Sequence, residues 1–338
     1  MSSDVSEVPT VPMVPFVPHP RLRNGHVMTV YSWGRRRPAP TLPAPEIRHF
    51  DVAPQTRVSA DCYWQPDRSR HPAILMLHGL EASSSAHYML GVAEKAFDAG
   101  MSAVLLNQRN CGGTEHLAPG LYHSGLTEDP VYVMNEMIAR DGIERIGVAG
   151  YSLGGNLALK LAGDFGDNAP RALRAVCAIS PILEILRCIE ALERPVNAIY
   201  QWNFVKDLRA RMRRKAAHWP GAFPVGRLRS VRTVRQFDDV FTAPHFGFKN
   251  AEDYYHRASA MRVVDRIRVP TLVIAAEDDP FVPPDMFEAP ALRNNPHITT
   301  VVTRHGGHCG FIGGAASADD GYWAESSIVR FVAAHIGS

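Results

Sequence analysis

A serine flanked by glycines stands where a predicted strand gives way to a predicted helix. Residues 146–149 are apolar, Gly150-Tyr151-Ser152-Leu153-Gly154 follows the pattern G-x-S-x-G, and residues 156–161 favour a helix. In this order of strand, tight turn and helix, a nucleophilic serine occupies a strained turn, and the glycines let neighbouring backbone approach closely. The context predicts that Ser152 is a nucleophile. The alternative is a glycine-rich loop between core elements.

A serine hydroxyl is a useful nucleophile at neutral pH only when a base accepts its proton and an acid holds that base in one tautomer. On folds with this kind of turn, the acid and the histidine follow the serine along the chain. The last two predicted strands end at the pairs Asp278-Asp279 and His305/His308. We predict Asp279, in the turn Asp-Pro-Phe-Val-Pro, as the acid, and His308, after two glycines, as the base. Asp278 and His305 are the competing candidates.

The transition state of acyl transfer also needs hydrogen-bond donors aimed at the developing oxyanion. One predicted donor is the backbone N–H of Leu153, directly after the nucleophile. The other is the N–H of Leu80, in the loop that follows the third predicted strand, and the side chain of His78 is expected to brace this loop. Cys309 lies beside the predicted base but has no base and acid of its own, so we do not expect it to be a nucleophile.

Ser152, Asp279 and His308 can meet only if the strands before them end at the same edge of one sheet. Apolar runs alternate with helical patterns along most of the chain, which predicts a mostly parallel sheet covered by helices on both faces. The fold class predicted is therefore α/β with a helical cap insertion, and the order of serine, acid and histidine along the chain resembles that of the α/β-hydrolase fold. The predicted strands are residues 46–52, 58–64, 73–77, 102–106, 146–149, 173–179, 271–276 and 298–303.

Two segments depart from the alternation of strands and helices. Residues 1–45 are rich in proline, and the first 20 alternate proline with valine, which excludes a helix or a central strand and predicts either a disordered tail or an arm on the body. Residues 182–262 contain helical patterns at 182–193 and 202–217 but no clear strand, and we interpret them as a cap. The predicted core is then 46–181 with 263–338.

The cap carries a strongly basic cluster. Residues 206–235 contain ten Lys or Arg and one acidic residue, Asp207. Such a cluster could attract an anionic lipid surface or an acidic substrate group, whereas the simpler interpretation is a solvated face. It lacks the aromatic residues that would suit nucleic acid, so no nucleic-acid partner is predicted.

Composition limits the class of protein and its compartment. The 338 residues, 46% apolar and 21% charged with a net charge of +2, suit one large domain or two small ones. Five cysteines without close pairing favour a reducing compartment. No apolar run is long enough to cross a membrane and no signal peptide is evident, so we predict a cytoplasmic protein.

At this point the chain resembles the YheT-like branch of the α/β-hydrolases, which includes plant embryogenesis-associated hydrolases and animal members that act on lipid esters. The resemblance implies a Ser–Asp–His triad on Ser152, Asp279 and His308, and no metal or organic cofactor. The matching stretches are Pro15-Phe16, Asn24-Gly25-His26-Val27-Met28-Thr29, His78-Gly79-Leu80-Glu81, Tyr88, Asn107-Gln108-Arg109-Asn110-Cys111-Gly112-Gly113, Leu121-Tyr122-His123-Ser124-Gly125, residues 150–156, Phe248, Asp253-Tyr254-Tyr255, Asp278-Asp279-Pro280 and Gly306-Gly307-His308.

The family usually has glycine where Ala82 and Asn110 stand in this sequence. Asparagine tolerates a left-handed backbone, so Asn110 is a mild change. Alanine is less comfortable there, so Ala82 bears on the shape of the loop that supplies the Leu80 donor.

The sequence therefore predicts a serine hydrolase that cleaves carboxylic esters through an acyl-enzyme. By analogy with the family, the expected substrates are short- to medium-chain esters or monoacylglycerol-like lipids. Acyl transfer to another alcohol, or cleavage of amides or peptides, would use the same triad. The alternative hypothesis outside the enzymes is a binding protein without catalytic activity. The presence of all three residues Ser152, Asp279 and His308 argues against it. Contact with a membrane through the basic cap is a further expectation, and the oligomeric state is left open.

Overall fold

The structure is a computed structural model and describes residues 13–35, 41–314 and 319–337. Within these ranges eight strands form a single sheet. The strands are β1 Glu46–Ala53, β2 Thr56–Tyr63, β3 Ala73–Leu77, β4 Ser102–Asn107, β5 Ile146–Tyr151, β6 Leu173–Ile179, β7 Thr271–Ala276 and β8 Ile298–Thr303.

The strand order is β1-β2-β4-β3-β5-β6-β7-β8. β1 pairs antiparallel with β2, and β2 pairs antiparallel with β4. All neighbours from β4 to β8 pair in parallel. Every residue of β3, β4, β5 and β7 is buried, as expected for parallel strands covered on both faces. The predicted α/β-hydrolase fold class is confirmed, and so are the bounds of several central strands.

Helices surround this sheet, and among the described residues none combines the length and the apolarity needed to cross a bilayer. Short 3-10 turns connect several of them. The helices are α1 Gly25–Gly34, α2 His87–Asp98, α3 Glu128–Ala139, α4 Leu153–Phe165, α5 Ile185–Leu192, α6 Ala198–His218, α7 Val234–Phe237, α8 Ala243–His245, α9 Ala251–Ala258, α10 Pro290–Arg293 and α11 Trp323–Ile336.

Alternate residues of β3 point to two different cores. Leu75 and Leu77 belong to a cluster that includes apolar side chains of α3 and α4. Ile74 and Met76 belong to a second cluster, with side chains of α2 and α11. Side chains of successive strand residues point to opposite faces, so the sheet is covered by helices on both sides.

The segment between β6 and β7 carries helices α5 to α9, and within it the structure describes no strand. Helix α5 falls inside the helix predicted at 182–193, whereas α6 begins four residues before the one predicted at 202–217. The division of the chain into an arm, a core and a cap stays our interpretation.

The described part of the proline-rich segment lies on the body of the protein. The indole N–H of Trp323 donates to the carbonyl of Val14 at 2.8 Å, and the ring of Phe16 lies 5.2 Å from that of Trp323 and 5.9 Å from that of Phe311. Residues 1–12 fall outside the described ranges. This segment also contains helix α1, which the sequence pattern did not predict.

Helix α1 approaches the loop after β7 so closely that only glycine fits at its first position. A Cβ added to Gly25 would lie 1.7 Å from the backbone oxygen of Asp278. A backbone atom in a packed loop cannot move aside cheaply, so α1 would have to separate from the loop.

We expect Gly25→Ala to lower the free energy of unfolding in urea by about 2 kcal/mol or more, because the added methyl overpacks a backbone contact. Gly34→Ala, at the other end of α1, is the matched control, since nothing lies within 4 Å of its added Cβ. Its free energy of unfolding should stay within about 0.5 kcal/mol of the wild type. Equal free energies of unfolding for the two variants would contradict the conclusion that only glycine fits at position 25.

Candidate active site

Ser152 occupies a strained turn between β5 and α4. Its φ of 54° and ψ of −114° are rarely adopted by residues other than glycine. Tight packing enforces this conformation, because a Cβ on Gly150 would lie 2.0 Å from the oxygen of Gly154, and one on Gly154 would lie 2.2 Å from the oxygen of Leu77. The turn is thus wedged against the end of β3, with the hydroxyl of Ser152 held above the sheet edge.

A continuous chain of hydrogen bonds joins the three residues predicted as a triad. The Oγ of Ser152 lies 2.9 Å from Nε2 of His308, and Nδ1 of His308 lies 2.8 Å from Oδ2 of Asp279. The other carboxylate oxygen of Asp279 accepts hydrogen bonds from the N–H groups of Phe281 and Val282 at 3.1 and 3.0 Å. A carboxylate only accepts, so Nδ1 carries the proton and Nε2 is free to accept one from the serine.

Burial makes this chain electrostatically strong. The side chains of His308 and Asp279 are 9% and 1% exposed. Burial of the ring lowers the pKa of His308, but the Asp279 carboxylate, with a contribution from Cys309, raises it by more, and the net pKa lies above the ordinary histidine value. The carboxylate therefore makes His308 a stronger proton acceptor once the ring is neutral.

The competing candidates, Asp278 and His305, pair with each other instead. Oδ2 of Asp278 lies 3.3 Å from Nδ1 of His305, and Oδ1 accepts a hydrogen bond from the N–H of Gly307 at 2.8 Å. These contacts tie the loop after β7 to the loop after β8. Asp278 thus fixes the distance between the two loops that carry Asp279 and His308.

Helix α1 supplies a support that sequence reasoning missed. The hydroxyl of Thr29 accepts a hydrogen bond from the backbone N–H of His308 at 2.8 Å and donates to the carbonyl of Gly25 at 2.7 Å. The side chain of Asn24 caps the helix by accepting from the N–H of Val27 at 3.1 Å. The signal lay in the stretch from Asn24 to Thr29, which was part of the family resemblance but had no assigned role.

The two predicted oxyanion donors lie beside Ser152. Leu80 and Leu153 both line the same cavity as the serine, and within the described part of the chain their backbone N–H groups donate to no other group. His78 braces the Leu80 loop as predicted. Its Nδ1 donates to the oxygen of Gly79 at 2.7 Å, and its Nε2 accepts from the N–H of Gln108 at 3.1 Å. Burial lowers the pKa of His78 to about 4, so this ring is neutral.

The left-handed residue in this loop is Glu81, with a φ of 56°, and not Ala82. Ala82 therefore carries none of the strain that its replacement of glycine suggested. Asn110 does adopt the left-handed conformation, with a φ of 67°, and its side chain donates to the carbonyl of Gly120 at 3.0 Å. Asparagine is one of the few residues other than glycine that tolerates this backbone.

A buried ion pair connects the loop of Leu80 to helix α6. The Nε of Arg211 lies 2.7 and 3.0 Å from the two carboxylate oxygens of Glu81, and both side chains are almost fully buried. The hydroxyl of Tyr122 also donates to Glu81, at 3.2 Å. Arg211 belongs to the basic cluster of residues 206–235, so at this position the expectation of a solvated face is wrong.

A narrow cavity of about 70 Å³ leads from Ser152 between the core and the helices that follow β6. Its lining is mostly apolar, and Arg211, Asp238 and Thr242 add polar groups to it. The apolar side chains contributed by residues 182–262 include Ile185, Ile189, Leu192, Phe204, Leu208, Val234 and Phe237.

The site shows no arrangement that would hold a metal. Across the described ranges, no three His, Cys, Asp or Glu side chains are grouped in a way that could bind an ion.

Cys309 has a left-handed backbone with a φ of 60°, and its thiol lies 3.9 Å from the carbonyl of Ile179.

The family model of the α/β hydrolase fold matches residues 72–315, and the chain therefore belongs to this family. It is 34% identical over 281 residues to YheT of Escherichia coli strain K12, which covers 82% of each protein. The resemblance to the YheT-like branch is thus confirmed.

More distant relatives agree with this assignment. The chain is 30% identical over 249 residues to phospholipase ABHD3 of Mus musculus, a match that spans 73% of this chain and 60% of the relative. The solved structure of 2,6-dihydroxy-pseudo-oxynicotine hydrolase superimposes with a TM-score of 0.59 at 19% identity, covering 91% of this chain and 72% of the other. That likeness concerns the fold.

We expect Arg211→Met to lower the free energy of unfolding by about 3 to 5 kcal/mol, because it leaves the Glu81 carboxylate buried without its partner. The double variant Glu81→Gln with Arg211→Met should recover much of this loss. Arg213→Met is the control on the same helix, since Arg213 is exposed and forms no ion pair within the described ranges. Urea unfolding measures all three, and equal losses for Arg211→Met and Arg213→Met would contradict the argument.

Proposed function

We propose that the protein is a serine hydrolase that cleaves carboxylic esters through an acyl-enzyme. The observation that carries the proposal is the unbroken chain of hydrogen bonds from Ser152 through His308 to Asp279. The Oγ of Ser152 attacks the ester carbonyl carbon while Nε2 of His308 takes the hydroxyl proton. The same proton then passes to the leaving alkoxide oxygen, and the alcohol departs.

The N–H groups of Leu80 and Leu153 are the proposed donors to the oxyanion of the tetrahedral intermediate, each adding a hydrogen bond that strengthens as charge develops. A water molecule, deprotonated by His308, then attacks the acyl-enzyme and releases the acid. Asp279 stabilises the imidazolium that forms in both steps.

The proposed substrates are esters with a short- to medium-chain acyl group or monoacylglycerol-like esters, and the chain length is chosen by analogy with the family. The cavity lining of leucine, isoleucine, valine and phenylalanine suits an acyl chain and excludes water from it. The match to a phospholipase favours a lipid ester among these. We also propose a cytoplasmic location, because all five cysteines are free thiols.

Wild-type protein should be labelled by a fluorophosphonate probe and should hydrolyse short- and medium-chain p-nitrophenyl esters. Ser152→Ala should abolish labelling and lower kcat/KM by at least about a thousandfold, because the nucleophile is gone. Ser230→Ala is the control and should keep the labelling and the activity of the wild type, since Ser230 is exposed and its hydroxyl donates to the carbonyl of Arg227 at 2.8 Å. Undiminished labelling of folded Ser152→Ala would refute the proposal.

Asp279→Asn should lower kcat by about a thousandfold or more, because it removes the carboxylate that orients His308 and stabilises its charged form. The Asp279 carboxylate raises the pKa of His308, and only the neutral ring can accept a proton. The acidic limb of the kcat/KM profile should therefore move to lower pH in this variant.

Asp278→Asn provides the matched comparison. Its carboxylate holds the loops through His305 and Gly307 and does not contact His308. It should leave the position of the acidic limb unchanged and reduce kcat far less than Asp279→Asn. If the two variants behaved alike, the assignment of Asp279 as the acid would be wrong.

A further inference from the structure

Helix α1 presents its apolar side chains to solvent. Its buried residues are Gly25, Met28, Thr29 and Ser32. Its exposed apolar residues are between 42% and 68% accessible, and they are Val27, Val30, Tyr31 and Trp33. A helix on the surface of a globular protein ordinarily places such residues inside, so the exposed face of α1 needs a separate explanation.

The beginning of helix α6 has a similar face. Val196, Ile199 and Trp202 follow one another at intervals of three residues and are 64% to 67% accessible. The spacing places Ile199 and Trp202 on one side of the helix, with Val196 in the turn directly before it.

Helices α1 and α6 contact each other next to these two faces. Nδ1 of His26 lies 3.2 Å from the hydroxyl of Tyr200, and the two rings stack with their centroids 5.8 Å apart. His26 precedes Val27 and Tyr200 follows Ile199, so both exposed faces extend from the same contact. We call the combined area the α1/α6 surface and define it by Val27, Val30, Tyr31, Trp33, Val196, Ile199 and Trp202.

The chain around the α1/α6 surface is positively charged. Residues 13–35 and 194–206 contain no Asp or Glu. They contain five cations, of which Arg21, Arg23 and Arg194 are exposed and form no ion pair within the described ranges. The charge next to the surface is therefore available to an anionic partner.

Four cations of the basic cluster of residues 206–235 are not available in this way. Arg211 is bound to Glu81, Arg214 contacts Glu115 at 2.6 Å, and Arg235 contacts Glu193 at 2.8 Å. Lys215 is buried, with its ammonium group on Asn110 and on backbone carbonyls. These four cations serve internal contacts, whereas Arg213, Arg227, Arg229 and Arg232 of the cluster are exposed. The α1/α6 surface differs from those exposed cations because it combines positive charge with exposed aromatic and aliphatic side chains.

We propose that the α1/α6 surface binds the headgroup region of an anionic phospholipid bilayer. Exposed tryptophan and tyrosine rings, aliphatic side chains and flanking arginines are the combination that favours such an interface. Each cation near an anionic leaflet adds to the attraction, which salt weakens. A lipid surface is favoured over an acidic protein because aromatic and aliphatic side chains on two helices are exposed next to arginines that are unpaired among the described residues.

The surface also lies beside the candidate active site. The ring of Tyr200 is 5.4 Å from that of Phe281, which in turn is 4.1 Å from the ring of His308. Thr29 of α1 holds the backbone of His308. Binding through this surface would bring the triad close to lipid. The binding itself does not depend on the chemistry proposed for Ser152.

Sedimentation of the full chain with vesicles tests this proposal. The vesicles contain ether-linked phosphatidylcholine, either alone or with about one third phosphatidylglycerol in the same linkage, so no acyl ester is present and hydrolysis cannot influence the result. The protein should sediment with the anionic vesicles, remain in solution with the neutral ones, and lose most of its binding in 0.5 M salt, a test concentration well above about 0.15 M.

The double variant Trp33→Ser with Ile199→Ser should bind the anionic vesicles at least about tenfold more weakly, because it removes from both helices exposed apolar area that binding to the bilayer would bury. Ile47→Ser is the matched control and should bind as the wild type does. Ile47 is 65% accessible and lies on β1, at the end of the sheet opposite to β7 and β8, whose loops contact α1. Free energies of unfolding in urea close to that of the wild type would show that all variants are folded, whatever their activity.

The proposal is overturned if the wild type ignores both kinds of vesicle, binds the neutral ones equally well, or is matched by the double variant. Analytical ultracentrifugation supplies the remaining alternative. A dimer that the double variant abolishes, in a protein that binds no vesicles, would assign the surface to a second copy of this chain and overturn the lipid proposal. A wild-type protein that binds the anionic vesicles but is not labelled by the fluorophosphonate probe would refute only the hydrolase function.

Discussion

The close backbone contact at the serine turn determines how the rest of the site is built. Ser152 can hold its left-handed conformation only because Gly150 and Gly154 allow β5, α4 and the end of β3 to approach without side chains between them. The cost of an unusual backbone, of order 1–3 kcal/mol, is offset by packing that leaves no alternative position. This packing alone fixes the position of the Ser152 hydroxyl. Other parts of the chain must then bring His308, Asp279 and the proposed oxyanion donors to that position.

Three separate parts of the chain meet that requirement. The sheet brings the ends of β5, β7 and β8 to one edge, as parallel strands do. Helix α1 then holds the backbone of His308 through Thr29, and Asp278 ties the acid loop to the base loop. Helix α6 holds the loop of Leu80 through Arg211 and Glu81. The positions of the base and of the proposed oxyanion donor thus depend on α1 and α6, two helices that do not belong to the regular alternation of strands and helices that builds the sheet.

Local sequence patterns predicted the buried strands and the order of the site residues well. Buried runs such as Ala73–Leu77 and Thr271–Ala276 have no polar alternation, and the structure gives strands at those same bounds. The meeting of Ser152, Asp279 and His308 could be anticipated because each follows its own strand in a recognised order. Helix α1 was missed because its apolar residues face outward and its buried face is made of Gly25, Thr29 and Ser32 among others, which gives no amphipathic signal.

Ion pairs between residues far apart in sequence are also not predictable from local patterns. A run of arginines on a helix looks solvated when its partners, such as Glu81 and Glu115, are about a hundred residues away. The choice between Asp278 and Asp279 was of the same kind. Both follow one strand, and only the neighbouring loop decides which carboxylate reaches His308 and which reaches Gly307. The roles of these residues in catalysis remain predictions, although their contacts are now defined.

The buried pair of Arg211 and Glu81 bears on how the cavity works. Separating α6 from the core would leave two charges in a poorly solvated region without their partners, which costs several kcal/mol. Burial, with a contribution from Arg211, also lowers the pKa of the neighbouring Lys215, whose ammonium group binds oxygens of the loop between β4 and α3. Helix α6 is therefore anchored along its second half, while its exposed first turns carry Ile199 and Trp202. The position of the Leu80 loop, and with it that of the proposed oxyanion donor, therefore depends on the second half of α6 staying in place.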